Sequence, residues 1–588
     1  MAKKEATSEL ISLIPDDDSL PRPRLTKLII KNFRMIGAEP VVIDLDDIVV
    51  LVGANNTGKS SILRAYEVAM SMGSKEGQLT IDDFPNGIVN SEALPEVEVH
   101  VIISVDKPGK QWIQYLDNGE MLVRERWIWA NPGEGPKRQG FNFENNDWSD
   151  SVPWGAPNIA KTYHPKPHRI DAFALPEKQA EVISKLIIDI INDKLKTIKS
   201  IDNQTDKTDY EVLLEEIASF QSKVVLATQN EIANIEQNIS EYIAKVFHNY
   251  VIKFDARPDV NIDKTYSPFK ENPIMTMGPA DGYLSNISAQ GSGARRTLLW
   301  TALKYISEHS QKSAERPHVL LIDEPEICLH PSAIRAARKV LYELPKTNNW
   351  QVMVTTHSPI FIDLSYDNTT IVRVDRDEKS EIKTTTLYRP KSASLSLNDR
   401  ENLKLLNLCD PYVHEFFFGG RIIIVEGDTE YTVFSWLKNE YPDVYDDVHI
   451  IRARGKATIP SIIKILNQFT CDYAVLHDAD TPEIVDGGKN PAWAINQNIL
   501  TEVNKSSNSQ LVRLIACKTN FEVAIFGEGI THDKPYNAIT KLKEEQINLD
   551  KIKQLFDSLL NGNQEPPKNC IKWNNLNQLI TEEIAGNE

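Results

Sequence analysis

Three short runs carry the residue types that phosphate chemistry needs, and their order along the chain separates two sites. Gly53-Ala54-Asn55-Asn56-Thr57-Gly58-Lys59-Ser60 follows the apolar run Ile48 to Val52. A strand, a glycine loop and a helix in that order turn a nest of backbone N–H groups toward a nucleotide's phosphates. Asn55, Asn56, Gly58 and Ser61 would line that cradle, Lys59 would reach the β- and γ-phosphates, and Ser60 would take Mg²⁺. Far downstream, Ile422-Ile423-Ile424-Val425 ends in Glu426-Gly427-Asp428-Thr429-Glu430, and later Ala474-Val475-Leu476-His477 ends in Asp478-Ala479-Asp480. Each is an apolar strand tipped with carboxylates, the layout of a divalent-metal site on a parallel sheet. An ATP site followed by a carboxylate metal site predicts a nucleotide-controlled enzyme acting on phosphodiesters.

The glycine loop has partners further along. Val319-Leu320-Leu321-Ile322 ends in Asp323-Glu324-Pro325. Asp323 suits the outer shell of Mg²⁺, and Glu324 suits activation of the attacking water. Thr355-Thr356-His357-Ser358-Pro359 follows the next apolar strand, and His357 is the candidate γ-phosphate sensor. The segment Ser288 to Arg296 precedes the acidic strand. Together with Asn32-Phe33-Arg34 near the start, these motifs resemble the ABC-type ATPases of the SMC/RecF class. The resemblance implies that Ser292 and Gly293 contact an ATP held by an opposite subunit. Gly291-Ser292-Gly293 here replaces the usual Ser-Gly-Gly run of that signature loop. It also implies a glutamine loop, for which Gln139 is the candidate.

The two carboxylate-tipped strands resemble the Toprim fold of topoisomerases, primases and certain nucleases, through Glu426 and Asp478-x-Asp480. An ABC-type ATPase followed directly by Toprim resembles the OLD (overcoming lysogenisation defect) nuclease family, from Leu25 to about Lys541. That resemblance implies Glu430 and Glu522, in Asn520-Phe521-Glu522, as ligands of a second metal. It implies Lys456, after Gly455, and Lys534, in Asp533-Lys534-Pro535, as lysines of the catalytic site, with Lys541 and Lys543 competing for the role of Lys534. One metal on Glu426, Asp478 and Asp480, and another on Glu430 and Glu522, would flank a scissile phosphate, and a lysine would offset charge in the transition state. Tyr431 reads as a packing residue, and no tyrosine stands in a recognisable nucleophile context. The implied cofactors are ATP and Mg²⁺, with Mn²⁺ an option at the nuclease site, and the implied substrate is DNA. Family members act in anti-phage defence alone, beside a helicase (Gabija), or as retron effectors restrained by a reverse transcriptase and its RNA–DNA product. The alternative is a RecF/SMC-like repair or recombination ATPase whose Toprim unit binds DNA without cutting it. The intact Glu426, Glu430, Asp478 and Asp480 argue against that alternative.

Positioning these residues takes an α/β fold in two parts: an SMC/RecF-like ATPase with a helical insertion, then a Toprim domain. The divisions read from the chain are a loose arm over 1–24, the ATPase's first part over 25–175, helices over 176–262, its second part over 263–390, a linker over 391–405 and the Toprim unit over 406–588. In the helical part, Leu213, Ile217, Phe220 and Val224 make one apolar stripe and Ile232, Ile235, Ile239, Tyr242 and Val246 another. Such stripes pack on the chain's own core or on a second copy. The second copy is the expectation, giving a homodimer or larger homo-oligomer. Trp112, Trp127, Trp129, Trp148 and Trp154 read as core and sheet packing.

Composition excludes several classes. Among 588 residues, 41% are hydrophobic and 25% charged, ordinary for a globular protein. No stretch approaches the ~18 apolar residues of a membrane span, and the N-terminus lacks a signal peptide's apolar core. Five scattered cysteines with no CxxC pair support neither a zinc site nor a disulfide framework, and fit the cytoplasm. A net charge of −18 means that DNA is met by a local basic patch or through metal ions.

Overall fold

Ile48–Val52 and Trp350–Thr355 are buried at every position, as central strands of a parallel sheet must be when both faces are covered. A computed structural model of the chain describes residues 23–104, 108–156, 160, 163–171, 175–196, 231–244, 250–255, 274–309 and 317–585, apart from 328, 348–349, 378–379, 394, 411–412, 469–470, 484–487 and 507–511. The two strands lie in a six-stranded sheet, in the order Ile382–Tyr388, Thr369–Arg376, Ile48–Val52, Trp350–Thr355, His318–Asp323, Lys166–Ile170. Every pairing in it is parallel except the first.

The ATPase part has a second, antiparallel sheet. Arg24–Lys31 pairs with Val41–Asp44 and Glu96–Ile103, and the sheet continues through Met121–Ile128, Lys137–Asn142 and Asp147–Ser149. The helix Lys59–Met70 shares one core with both sheets, joining Ile62 and Tyr66 to Val49 and Leu51 on one side and to Leu28, Val97 and Trp127 on the other. Trp112, Trp127 and Trp129 are buried, as their packing role requires. Among the described residues no helix is long and apolar enough to cross a membrane.

The helical insertion corrects one expectation. Its described parts are the helix Pro176–Lys196, residues 231–244 and the strand Tyr250–Asp255; the stripe Leu213, Ile217, Phe220 and Val224, and Val246 of the other, lie outside the described residues. Ile235 and Ile239 do not face outward for a second copy. They are 6% and 2% exposed and share a core with Ile187, Ile252 and Met275. The physical reason is the antiparallel pair Tyr250–Asp255 and Ile274–Pro279, whose Ile252 and Met275 take up the apolar face within the chain. Asp or Lys at Ile235 and Ile239 should therefore destabilise the fold on the order of 4 kcal/mol, by burying an unpaired charge. Thermal melting followed by circular dichroism reads this. An unchanged melt, with light scattering showing a halved molar mass, would restore the dimer face.

Residues 391–405 are not an extended linker. They carry parts of two helices, Pro390–Ala393 and Leu397–Cys409. The Ser396 hydroxyl accepts from the Asp399 amide, and the Asp399 carboxylate accepts from the Ser396 amide, a reciprocal cap that starts the second helix. Asp399 also accepts from Ser461 at 2.8 Å and Lys464 at 2.7 Å, which ties that helix to Ile459–Leu466.

The second part is built on a five-stranded sheet in the order Val448–Arg452, Arg421–Val425, Tyr473–Asp478, Arg513–Cys517, Cys570–Lys572. The first four strands are parallel and the last is antiparallel. Parallel neighbours end on one edge, so Glu426, Asp478 and the turn after Cys517 emerge together, where α/β sheets bind ligands.

Candidate functional site

The first site begins with backbone geometry. Gly53 has φ +145° and Gly58 φ +94°, and a Cβ on Gly53 would meet the Val374 carbonyl at 2.2 Å. Only glycine lets the loop pass there. Asn55 and Asn56 are exposed at its tip. The Arg376 guanidinium donates to the Asn56 carbonyl at 2.8 Å. Lys59 is 5% exposed and donates to the carbonyls of Gly53 at 3.0 Å and Ala54 at 2.8 Å. Burial lowers its pKa, while Glu324, Asp323 and Glu326 oppose that shift.

Across the sheet, the strands carrying the other motifs end beside this loop. The Ser60 hydroxyl donates to Asp323 Oδ1 at 2.9 Å. The Thr355 hydroxyl donates to the same oxygen at 2.5 Å. Glu324 sits in the left-handed region at φ +45°, a conformation costing roughly 1–3 kcal/mol for such a residue. Its amide donates to the Thr355 carbonyl and hydroxyl, both at 3.1 Å. That holds the carboxylate 3.3 Å from His357 Nε2. Burial and the Lys59 charge lower the His357 pKa, so the ring stays a neutral partner near pH 7. The structure thus brings together Glu324 and His357, the candidate base and sensor. Ser61 is buried behind the loop at 7% exposure. Ser292 and Gly293 open the helix Ser292–His309, with Ser292 on the surface. Gln139 lies on a strand of the antiparallel sheet, its amide engaged by Arg126 and Asp150.

Two residues of this site were not singled out from the sequence. Glu326 accepts from the His357 amide at 2.7 Å and from the Thr356 hydroxyl at 2.9 Å, fixing the histidine turn. Burial pushes its pKa up against those bonds. Arg169, on Lys166–Ile170, donates to the Ser60 carbonyl at 3.5 Å and lies 3.9 Å from Asp323. Glu326 could have been found as the third acid of Asp323-Glu324-Pro325-Glu326; nothing local marks Arg169.

Lys59→Ala should abolish ATP binding. Glu324→Gln should retain nucleotide but hydrolyse it roughly 10²–10³-fold more slowly, because the amide cannot take a proton from water. Nucleotide binding by filter retention and phosphate release measure the two effects. An unchanged turnover in Glu324→Gln removes Glu324 from the role of base.

The second site gathers the carboxylates. The Asp478 amide donates to Glu426 Oε2 at 3.1 Å, joining the ends of two parallel strands. Glu430, in the first turn of Asp428–Glu440, is 5% exposed. Burial pushes its pKa up to about 7, with Glu426 and Glu522 adding to the shift. Asp478 rises to about 8, first through burial and then through Glu426, Glu430, Asp480 and Glu522. Its Oδ1 is buried with no hydrogen-bond partner. Asp480 is held at φ +59°. Asn520 caps the helix Phe521–Phe526, accepting from the Val523 amide at 2.9 Å, and so aims Glu522 back at the cluster. Glu522, 5% exposed, accepts from the Thr429 hydroxyl at 3.1 Å.

Two lysines meet these acids. Lys456, 4% exposed, pairs with Asp480 and donates to the Asp478 carbonyl at 2.6 Å. Lys534, opening Lys534–Glu544, lies 3.1 Å from Glu522. Lys541 instead pairs with the exposed Glu528, and Lys543 has no contact with the cluster among those described. Of the three competing lysines, the structure brings Lys534 to the acids. As the side chains stand, no three His, Cys, Asp or Glu among the described residues converge tightly enough to hold an ion. The donor set nonetheless fits a divalent cation: hard oxygens, mutually raised pKa values and an unpartnered buried carboxylate oxygen.

Residues 24–120 and 142–362 match the AAA ATPase domain family, and residues 417–480 match the Toprim domain of overcoming lysogenization defect protein-like proteins. Over 545 residues the chain is 24% identical to the OLD nuclease of Thermus scotoductus, covering 89% of this chain and 96% of that protein. It is 23% identical over 532 residues to the Old nuclease of Escherichia phage P2, covering 85% of each. With endonuclease GajA of Bacillus cereus it shares 21% identity over 543 residues, 92% of this chain and 86% of that one. Among solved structures, an Smc head bound to the C-winged helix domain of ScpA superposes with a TM-score of 0.36 at 17% identity, over 62% of this chain and 99% of that one.

Proposed function

The chain belongs to the OLD nuclease family, an ATPase joined to a Toprim domain in one hydrolase, and from that membership we propose a DNA endonuclease that uses Mg²⁺ or Mn²⁺ on Glu426, Glu430, Asp478, Asp480 and Glu522. The observation that carries this reading is the buried, unpartnered oxygen of Asp478 among four other acids. Bound there, divalent ions would generate the attacking hydroxide and neutralise the leaving oxygen. Lys534 is the residue we assign to the developing phosphate charge, since it reaches the cluster from a half-exposed position. Lys456, buried on the Asp478 carbonyl, holds the Asp478-Ala479-Asp480 turn.

In the ATPase part, Lys59 and the loop amides would bind the β- and γ-phosphates, Ser60 and Asp323 the Mg²⁺, Glu324 the water and His357 the γ-phosphate. Ser292 and Gly293 would serve an ATP on a second copy, which makes the working form at least a dimer. The exposure of Ser292 beside the helix start supports this. The biological role we assign is an anti-phage effector, in the cytoplasm, acting alone or with a helicase or reverse transcriptase partner. Incubation of supercoiled plasmid with the protein in Mg²⁺ or Mn²⁺, with and without ATP, tests the central claim. Nicked and linear products are expected; intact plasmid under every condition defeats it.

A further inference from the structure

His477 precedes the first acid of Asp478-Ala479-Asp480 yet is fully buried, at 0% exposure. An indole nitrogen can only donate, and Trp573 Nε1 donates to His477 Nε2 at 3.1 Å with the rings edge to face. Nε2 must therefore carry a lone pair. The ring proton is left on Nδ1, 2.8 Å from the Asp478 carbonyl, to which it donates. The indole thus selects one tautomer, and that tautomer closes a bond to the main chain of the carboxylate turn.

The rest of the turn is fixed with equal completeness. The Asp478 amide donates to Glu426 and the Asp478 carbonyl accepts from Lys456 as well as His477. The Ala479 amide donates to the Cys517 carbonyl at 2.9 Å, and the Ala479 carbonyl accepts from buried Asn496 at 2.9 Å. Asp480 follows at φ +59°, in the left-handed region that aspartate enters more readily than most residues.

We propose that Trp573 and His477 form a positioning pair that sets the Asp478-Ala479-Asp480 turn for divalent-metal binding. Trp573 follows the edge strand Cys570–Lys572, well beyond residues 417–480 that match the Toprim family. The C-terminal segment is thereby part of the metal site although it supplies no ligand. This inference rests on the reading of the acids as a metal site, and goes beyond it by giving roles to two residues outside the carboxylate set.

Trp573→Phe removes the N–H and keeps a ring in the core. Isothermal titration of the full-length protein with Mn²⁺, without DNA, should show affinity weakened roughly 10–100-fold, the range for lost outer-shell partners, with ATP hydrolysis little changed and the melting temperature lowered by the smaller ring and the orphaned Nε2 acceptor. His477→Asn, whose amide can replace the Nδ1 donor, should bind Mn²⁺ more tightly than His477→Leu, which cannot donate. Wild-type Mn²⁺ affinity in Trp573→Phe, or equal affinity in His477→Asn and His477→Leu, overturns the positioning role. A wild-type protein that binds no Mn²⁺ overturns the metal-site reading itself, and this role with it.

Discussion

Asp478→Ala and Asp480→Ala proteins should leave supercoiled plasmid uncut while binding and hydrolysing ATP as the wild type does. The two activities are assigned to different sheets: Lys59, Asp323 and Glu324 sit at the ends of one, Asp478 and Asp480 at the end of the other. Losing a ligand of the cleaving metal removes charge stabilisation made chiefly in the transition state. A loss of roughly 10³-fold, about 4 kcal/mol in the barrier, is the expected scale. Misfolding can be told apart by the sign of a stability change. The Asp478 carboxyl is raised from its ordinary 3.8 to about 8, so its contribution to stability is full below pH 4 and lost as pH climbs through 8. Asp478→Asn, permanently neutral, should therefore gain stability relative to wild type across that window when no divalent ion is present. Added Mn²⁺ should raise the melting temperature of wild type more than that of the variant. Plasmid cleavage retained by either alanine variant, or equal loss of both activities in a well-folded one, would end this division of labour.

What the sequence disclosed follows the range over which each interaction acts. The glycine loop, Asp323-Glu324 and Asp478-x-Asp480 are each written in consecutive residues, because a parallel strand delivers its last residues to the sheet's edge wherever the strand lies in the chain. Strand order then does the rest: Trp350–Thr355 sits between Ile48–Val52 and His318–Asp323, which is why His357 meets Glu324. The Ile235 and Ile239 stripe was visible, but its partner was not. Apolar periodicity gives the face of a helix, while what covers that face depended on a strand pair that the pattern did not announce. The helix within 391–405 was signalled by Ser396 and Asp399, a cap at the right spacing, and was obscured by the serines around it. Arg169 and Trp573 carry no local mark, because each meets its partner across a long separation in sequence.

The remaining large effect concerns the number of metals. Glu430 and Glu522 are each 5% exposed, and each has an acid neighbour. Glu430 is raised to about 7 by burial with Glu426 and Glu522 contributing. Lys534 and the Thr429 hydroxyl meet Glu522, and among the described residues no basic side chain pairs with the Glu430 carboxyl. Buried carboxylates of this kind are costly unless paired or metal-bound, and a second ion beside the first would relieve both while stabilising the leaving oxygen. Glu522→Ala should slow cleavage roughly a hundredfold in Mg²⁺, the scale of losing one stabilising group in a transition state. Mn²⁺, less demanding in geometry, should restore part of that rate. Lys534→Ala should slow cleavage in both metals, since its charge rather than a ligand is lost. Mn²⁺ occupancy in crystals of the DNA complex should show two ions in wild type and one in Glu522→Ala. Full activity in Glu522→Ala, or one occupied site in an active wild-type complex, would reduce the mechanism to a single metal and return Glu430 and Glu522 to structural roles.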